Sequence, residues 1–200
     1  MNHNLLTERI AQCQQGQAEA FTWLVAEYGP RLYGYFVRQA GSTGDAEDLL
    51  QETFVKVVAH IKDYRHQGRF EAWLFRLAAN LLRDRGRRQR RQLQSLGKLM
   101  PLADPATDGP TVASPQAGPS EQAQLAEFRD RLQAALQQLP QLDREIILLR
   151  YYGGLSFKEI AQHLDLPLGT ALTKVHRGLK HLQRILGDHE ELETTHTTGT

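Results

Sequence analysis

The 200-residue sequence is poor in cysteine and has no long hydrophobic run. Cys13 is the only cysteine, so no intramolecular disulfide can form, and a zinc site built from several thiolates is excluded. No apolar stretch reaches membrane-spanning length, and residues 1–16 lack the basic start and apolar centre of a signal peptide. We therefore expect a cytoplasmic protein that is not inserted into a membrane.

The sequence also lacks the alternating pattern of β-strands and any internal repeat. Glu8, Glu19 and Glu27 with scattered histidines form no nucleophile–base pair, no metal-ligand spacing and no phosphate loop. A hydrophobic content of 40% with 24% charged residues is typical of a globular protein. The sequence therefore predicts an all-α protein that is not an enzyme and has no cofactor and no metal site.

Glycine and proline indicate two small helical domains. Residues 1–91 are predicted to form the first, with helices separated at Gly16, Gly29–Pro30, Gly41–Ser42 and residues 62–68. Five prolines between residues 92 and 120 predict a flexible linker without a core. The helical pattern resumes over residues 121–186, with a break at Pro140, and residues 187–200 are predicted to be a disordered acidic and polar tail.

Charge is strongly segregated along the chain. Residues 76–91 contain seven arginines and one acid, a net charge of +6, while the whole chain carries +1. Segregation of this kind indicates an anionic partner for one surface.

A predicted helix from Gly44 to Ile61 has an acidic side. Its buried stripe is predicted at four apolar positions, Leu50, Phe54, Val57 and Ile61. Asp45, Asp48 and Glu52 follow one another at spacings of three and four on the opposite side. A solvated helix start, favoured by the helix dipole, and a docking surface are both compatible with these charges.

The next predicted helix, from Arg69, has an arginine-rich side. Its core positions are predicted to be Phe70, Trp73, Leu74, Leu77 and Leu81. A second row contains Arg76, Asn80, Arg83 and Arg87. Like charges at this spacing repel unless an anion neutralises them, and the arginine fork matches phosphate. The loop Tyr64–Phe70 interleaves aromatic and cationic residues, which suits stacking on single-stranded nucleic acid.

Residues 155–183 predict a helix-turn-helix. Ser156 and Glu159 form a capping box at the start of the first helix, and Pro167 ends it. The second helix begins near Leu168, and its predicted apolar positions are Leu168, Ala171, Leu172, Val175, Leu179, Leu182 and Leu186. Its outer face carries Thr170, Thr173, Arg177 and Lys180, with Lys174 and His181 beside them. Such a unit enters a DNA major groove, although an ordinary helical hairpin can share the pattern.

Taken together, these segments resemble the sigma-70 family of bacterial RNA polymerase sigma factors. AEDLLQETFVKV followed by FEAWLFRLAANLLRDRGRR is similar to region two, and LPQLDREIILLRYYGGLSFKEIAQHLDLPLGT to region four. The resemblance covers residues 18–91 and 125–186 and is strongest to the two-domain extracytoplasmic-function (ECF) subfamily. It implies a factor that directs core polymerase to specific promoters and initiates DNA-templated transcription, in the cytoplasm and associated with the nucleoid.

The resemblance also implies roles for particular residues. Docking on the clamp helices of the polymerase would involve Asp45, Asp48, Gln51 and Glu52. Recognition of the minus-ten element as it melts, including its melted non-template strand, would involve Tyr64, Arg65, Arg69, Phe70, Arg76, Asn80, Arg83 and Arg87. Reading of the minus-thirty-five duplex would involve Thr170, Thr173, Lys174, His176, Arg177 and Lys180. The polymerase flap and an anti-sigma factor are the other implied partners.

The sequence departs from the family pattern at one position that matters. Family members often have GTVKSR where this chain has Gly169–Lys174, so that Leu172 stands in place of a lysine. His189 and His196 are too sparse to resemble the metal-sensing segments of some members. The alternative function is a stand-alone helix-turn-helix regulator, against which the acidic stripe, the aromatic loop and the arginine row all argue.

Overall fold

The computed structural model describes residues 3–95 and 119–187, and every regular element within these two ranges is a helix. The α-helices are α1 (His3–Gln14), α2 (Ala18–Ala40), α3 (Thr43–His60), α4 (Phe70–Ser95), α5 (Pro119–Gln137), α6 (Gln141–Gly153), α7 (Phe157–Leu164) and α8 (Leu168–Gly187). A short 3₁₀ helix, Ile61–Asp63, follows α3. The all-α prediction is confirmed.

The chain forms two compact units, the first with α1–α4 and the second with α5, α7, α8 and α6 up to Tyr151. Helix α4 continues to Ser95, beyond the predicted end of the first domain, and α5 begins at Pro119. Most of the predicted linker and nearly all of the predicted tail lie outside the described residues.

Aromatic side chains fill the core of the first unit. Tyr35 is fully buried, and its ring lies 5.6 Å, edge to face, from that of Phe75. Arg31 of α2 pairs with Glu71 of α4 at 3.1 Å, and its guanidinium lies 5.7 Å from the centre of the Phe75 ring. Helices α2 and α4 are therefore joined by packing of aromatic rings and by an ion pair beside these rings.

Helix α2 contains Pro30 in its interior, so the predicted break at Gly29–Pro30 is wrong. An interior proline costs about 3 kcal/mol because one backbone hydrogen bond is lost. Leu24, Tyr28, Leu32 and Tyr35 are buried on both sides of Pro30, and the two leucines alone contribute about 1.5–3 kcal/mol each on burial. The gain on burial therefore exceeds the cost of the proline.

The buried side of α3 differs by one position from the predicted stripe. Ser42 caps the helix by accepting a hydrogen bond from the Asp45 amide at 3.4 Å. The buried residues are Ala46, Leu49, Thr53 and Val57, while Leu50 and Phe54 are only half-buried. Burial of Thr53 is possible because its hydroxyl donates to the Leu49 carbonyl at 2.7 Å. Of the predicted positions, Val57 and Ile61 are buried.

The helix-turn-helix of the second unit is confirmed. Ser156 Oγ accepts from the Glu159 amide at 3.3 Å, and Glu159 Oε2 accepts from the Ser156 amide at 2.9 Å, which completes the capping box. Helix α7 ends at Leu164, and its C-cap residue Asp165 has a left-handed φ of 53°. Helix α8 then begins at Leu168 as predicted.

The apolar face of α8 is narrower than predicted. Its buried residues are Ala171, Val175, Gly178 and Leu182. Leu168, Leu172 and Leu179 were expected in the core but are 46%, 45% and 50% exposed. The reason is close packing on α6: a Cβ atom at Gly178 would lie 2.7 Å from Ile147 Cδ1. This contact turns the glycine side of α8 toward the core and the leucines toward solvent.

Candidate protein-binding and nucleic-acid surfaces

The acidic surface of α3 is paired with a cation of its own unit. Arg85 of α4 donates to Asp45 Oδ1, and its Nη2 lies 3.4 Å from Asp48 Oδ2. The two aspartate side chains remain 46% and 69% exposed. Gln51 is exposed and Glu52 is half-buried. The acids thus remain accessible to a partner, and their docking role stays a prediction.

Two valines on the same helix enlarge this surface. Val55 and Val58 are 67% and 53% exposed. Successive spacings of three, four and three residues place Asp48, Gln51, Val55 and Val58 on one side of α3. Sequence reasoning missed the valines, although apolar residues outside the predicted buried stripe were the available signal.

The loop between the 3₁₀ helix and α4 forms a cluster of rings. Tyr64 lies 4.7 Å from Trp73, 5.6 Å from Phe70 and 5.9 Å from His66, measured between ring centroids. Gln14 Nε2 donates to the Tyr64 carbonyl at 2.7 Å, which ties the loop to α1. Burial raises the pKa of Tyr64 above its ordinary value.

The members of the loop differ in accessibility. Arg65 and Arg69 are exposed, and His66 and Trp73 are half-buried. Phe70 is only 1% exposed and packs 5.4 Å from the Tyr28 ring. In this conformation Phe70 supports the ring cluster from inside the core, and its contact with DNA stays a prediction.

The predicted row on α4 lies along one side of the helix. Asn80 and Arg87 are exposed, and Arg76 and Arg83 are half-buried. Arg87 donates to Asp84 at 2.7 Å, and this hydrogen bond lowers the pKa of the Asp84 carboxyl. A solvated ion pair of this kind is weak, so a phosphate can take the place of Asp84 as the partner of Arg87.

The predicted residues of α8 fall into two groups. Thr173, His176 and Lys180 are exposed, and the Thr173 hydroxyl donates to the Gly169 carbonyl at 2.8 Å. Thr170 is half-buried. Lys174 and Arg177 instead bind the buried carboxylate of Asp143 on α6, at 3.0 Å and 2.6 Å. Sequence reasoning missed Asp143, because an acid 31 residues before Lys174 gives no local signal.

Over residues 3–95 and 119–187, no group of three or more histidine, cysteine or acidic side chains is arranged to hold a metal ion. No helix within the same ranges combines the length and apolar character needed to span a membrane.

Comparison with known proteins gives matches for both units. The family model of Sigma-70 region 2 matches residues 24–92, and that of Sigma-70, region 4 matches residues 129–182. The ECF RNA polymerase sigma factor SigW of Bacillus subtilis is 30% identical over 188 residues, covering 92% of this chain and 98% of the relative. The RNA polymerase sigma factor CarQ of Myxococcus xanthus is 34% identical over 177 residues, covering 88% and 95%.

A solved structure shares the fold. The sigma factor RpoE from Bartonella quintana, crystallised with the anti-sigma factor NepR, has a TM-score of 0.65 at 23% identity, with coverage of 85% of this chain and 98% of that one. Both sigma-70 regions are therefore matched, and the matches to the two relatives cover at least 95% of their length. The chain belongs to the sigma-70 family and to its ECF group, and it is an RNA polymerase sigma factor.

Proposed function

We propose that this sigma factor divides its work among three surfaces. Helix α3 docks on core RNA polymerase, the loop at Tyr64 with α4 engages the minus-ten element as it melts, and α8 reads the minus-thirty-five duplex. The observation that carries the proposal is the combination, in one unit, of a ring cluster with a side of α4 on which Asn80 and Arg87 are exposed.

The docking proposal rests on the composition of the α3 surface. Protein interfaces combine an apolar centre with a polar rim. Val55 and Val58 supply the apolar centre, and Asp48 and Gln51 supply polar groups on the same side. A partner surface with apolar and cationic side chains, as expected of the polymerase clamp helices, would complement it.

The melting proposal rests on stacking and phosphate binding. A base taken out of the duplex loses a few kcal/mol of stacking, which a protein must offset. Stacking on an aromatic ring restores about 1–3 kcal/mol per base. Half-buried Trp73 and His66 offer partly accessible rings, and the exposed Arg65, Arg69 and Arg87 supply cations for the backbone phosphates.

The duplex proposal rests on the exposed side of α8. The first turns of a recognition helix contact base edges in the major groove. Thr173 and His176 lie there with exposed polar groups, and Lys180 is one turn further, where a phosphate is the expected contact.

The remaining expectations follow from the role in transcription. We propose that the chain works without catalysis of its own, because it supplies recognition while the polymerase supplies the chemistry. We also propose a cytoplasmic, nucleoid-associated location and an anti-sigma factor as a further partner. A stand-alone regulator is the less favoured alternative, because it would have no use for the docking surface of α3.

Transcription in vitro with purified core polymerase tests the proposal. We expect new start sites on genomic fragments only when this protein is added. The double variant Arg83→Ala with Arg87→Ala is expected to abolish permanganate-reactive promoter opening yet co-purify with polymerase, while Arg88→Ala, an exposed arginine off the row, retains opening. Asp48→Arg is expected to lose polymerase binding.

Two results would contradict the proposal. Promoter-specific binding by the protein alone, with no effect of polymerase, would favour the stand-alone regulator. Loss of polymerase binding in the Arg83 and Arg87 variant would overturn the separation of docking from melting.

A further inference from the structure

Asp143 connects the helix-turn-helix to α6 through an ionic contact in the interior. Its side chain is 1% exposed. Lys174 Nζ donates to Oδ1 at 3.0 Å, and Arg177 donates through Nε and Nη2 to Oδ2 at 3.1 Å and 2.6 Å. Both carboxylate oxygens are therefore bound by cations of α8.

Close packing makes this contact possible. Gly178, next to Arg177, has no side chain, and a Cβ there would lie 3.8 Å from Asp143 Cβ and 2.7 Å from Ile147 Cδ1. Helix α8 thus approaches α6 closely at the level of the carboxylate. A buried carboxylate is costly unless it is paired, so any rotation of α8 that separates the ions is disfavoured.

Arg177 and Lys174 differ in whether they keep N–H groups that are not bound to Asp143. A guanidinium has five N–H groups. Arg177 gives two of them to Asp143, and its side chain is still 61% exposed, so the others are accessible from solvent. Lys174 is only 23% exposed and directs its ammonium group to Oδ1.

We propose that Asp143 is a positioning residue for minus-thirty-five recognition: it fixes the face of α8 that enters the groove, withholds Lys174 from the DNA, and presents the outer edge of Arg177 to a phosphate. Base reading then falls to the exposed Thr173 and His176. This inference rests on the proposed reading of the duplex by α8.

The first experiment compares two lysines of the same helix. Holoenzyme affinity for a minus-thirty-five duplex is measured as a function of salt for Lys174→Gln and Lys180→Gln. Loss of one phosphate contact lowers the slope of log affinity against log salt by about 0.9. We expect this loss for Lys180→Gln and less than half of it for Lys174→Gln, which leaves the Asp143–Arg177 pair in place. Equal losses for the two variants would overturn the withholding of Lys174.

The second experiment removes the acceptor. In Asp143→Asn both cations are released, so we expect a salt slope steeper by about 1. We also expect the ratio of affinities for the cognate and a scrambled minus-thirty-five element to fall about fivefold or more. Asp130→Asn, an exposed acid on α5, makes the same change in net charge and is expected to alter neither quantity.

The outcomes separate the two proposals. Folded Asp143→Asn protein, checked by circular dichroism, with an unchanged slope and ratio would overturn the positioning role alone. If Asp143→Asn does not fold, the comparison of Lys174→Gln with Lys180→Gln still tests whether Asp143 withholds Lys174 from the DNA. Wild-type holoenzyme that does not distinguish the cognate from the scrambled element would overturn the proposed duplex reading as well.

Discussion

Arg85 of α4 donates a hydrogen bond to the carboxylate of Asp45 on α3, and its Nη2 lies 3.4 Å from Asp48. The contact joins the arginine-rich helix to the acidic surface. The three side chains are 37%, 46% and 69% exposed, and ion pairs this exposed contribute about 0.2–1 kcal/mol. A cation of a docking partner can therefore replace Arg85 at little cost.

Removing this internal competitor is expected to strengthen docking. We predict that Arg85→Gln raises the affinity for core polymerase about two- to fivefold, because Asp45 and Asp48 no longer need to release a cation. Titration of labelled protein with core polymerase at fixed salt measures the change. Arg88→Gln, an exposed arginine of the same helix, changes the net charge equally and is expected to have no such effect. Weaker binding by Arg85→Gln would mean that the arginine orients the acids for the partner.

A charged substitution at an exposed valine of α3 is expected to weaken polymerase binding. Val55→Asp places a charge at the apolar centre of the proposed interface, so we expect at least about tenfold weaker polymerase binding. Val55 is 67% exposed, so its thermal stability is expected to change little. Val25→Asp on α2, where the valine is 45% exposed, is the matched control. Equal effects of the two substitutions would show that α3 is not the docking helix.

Local chemistry was sufficient to predict many features of the fold. The capping box of Ser156 and Glu159 is a contact between residues three apart, so it can be read without knowledge of tertiary structure. Of the five predicted core positions of α4, helical spacing located the buried Phe70, Leu74 and Leu81, while Trp73 and Leu77 are half-buried. The capping prediction holds because the two residues that determine it belong to one helix.

The errors all involve packing between helices. The buried side of α3 consists of Ala46, Leu49, Thr53 and Val57 because α3 packs against α2 and α4, and periodicity cannot choose between adjacent stripes. The exposure of Leu172 depends on where Gly178 meets Ile147 of another helix. The same contact brings Lys174 and Arg177 to Asp143. The candidate sites could therefore be located on helices from sequence, but the internal partners of their charges could not.

Leu172 provides a test of minus-thirty-five reading. Its side chain is 45% exposed, so Leu172→Lys is expected to leave stability within about 0.5 kcal/mol of wild type. A lysine at this level of the recognition helix is expected to steepen the salt dependence of duplex binding by about 0.9 and to change the preferred base at one or two positions. Selection from a randomised minus-thirty-five library with holoenzyme measures the preference.

Leu179→Lys is the control for this substitution. Leu179 is 50% exposed but lies about two turns further along α8, away from the end that enters the groove. We expect its base preference to remain that of the wild type. An identical shift for both variants, or none for Leu172→Lys, would mean that Leu172 does not face the bases.

Cys13 reports on the packing of α1. The side chain is fully buried, and burial raises its pKa to about 11, with Arg9 acting weakly in the opposite direction. The thiolate is the reactive form, and at pH 8 only about one thiol in a thousand would be ionised at this pKa. In the unfolded chain, where the pKa is 9.0, about one in ten is ionised. We therefore predict that iodoacetamide modifies the native protein at least about a hundredfold more slowly than the protein in urea, followed by mass spectrometry.

The same pKa shift sets the direction of the pH dependence. Between the unfolded and the folded pKa, the unfolded chain releases the thiol proton and the folded chain keeps it, so stability falls as pH rises above about 9. Cys13→Ala removes this contribution and is expected to show a smaller loss of stability between pH 8 and pH 10, in urea titrations at each pH. In that background Ala134→Cys, at an exposed position of α5, is expected to react as fast in native protein as in urea. Native Cys13 that reacts at the rate of this exposed thiol would contradict the packing of α1 against the core.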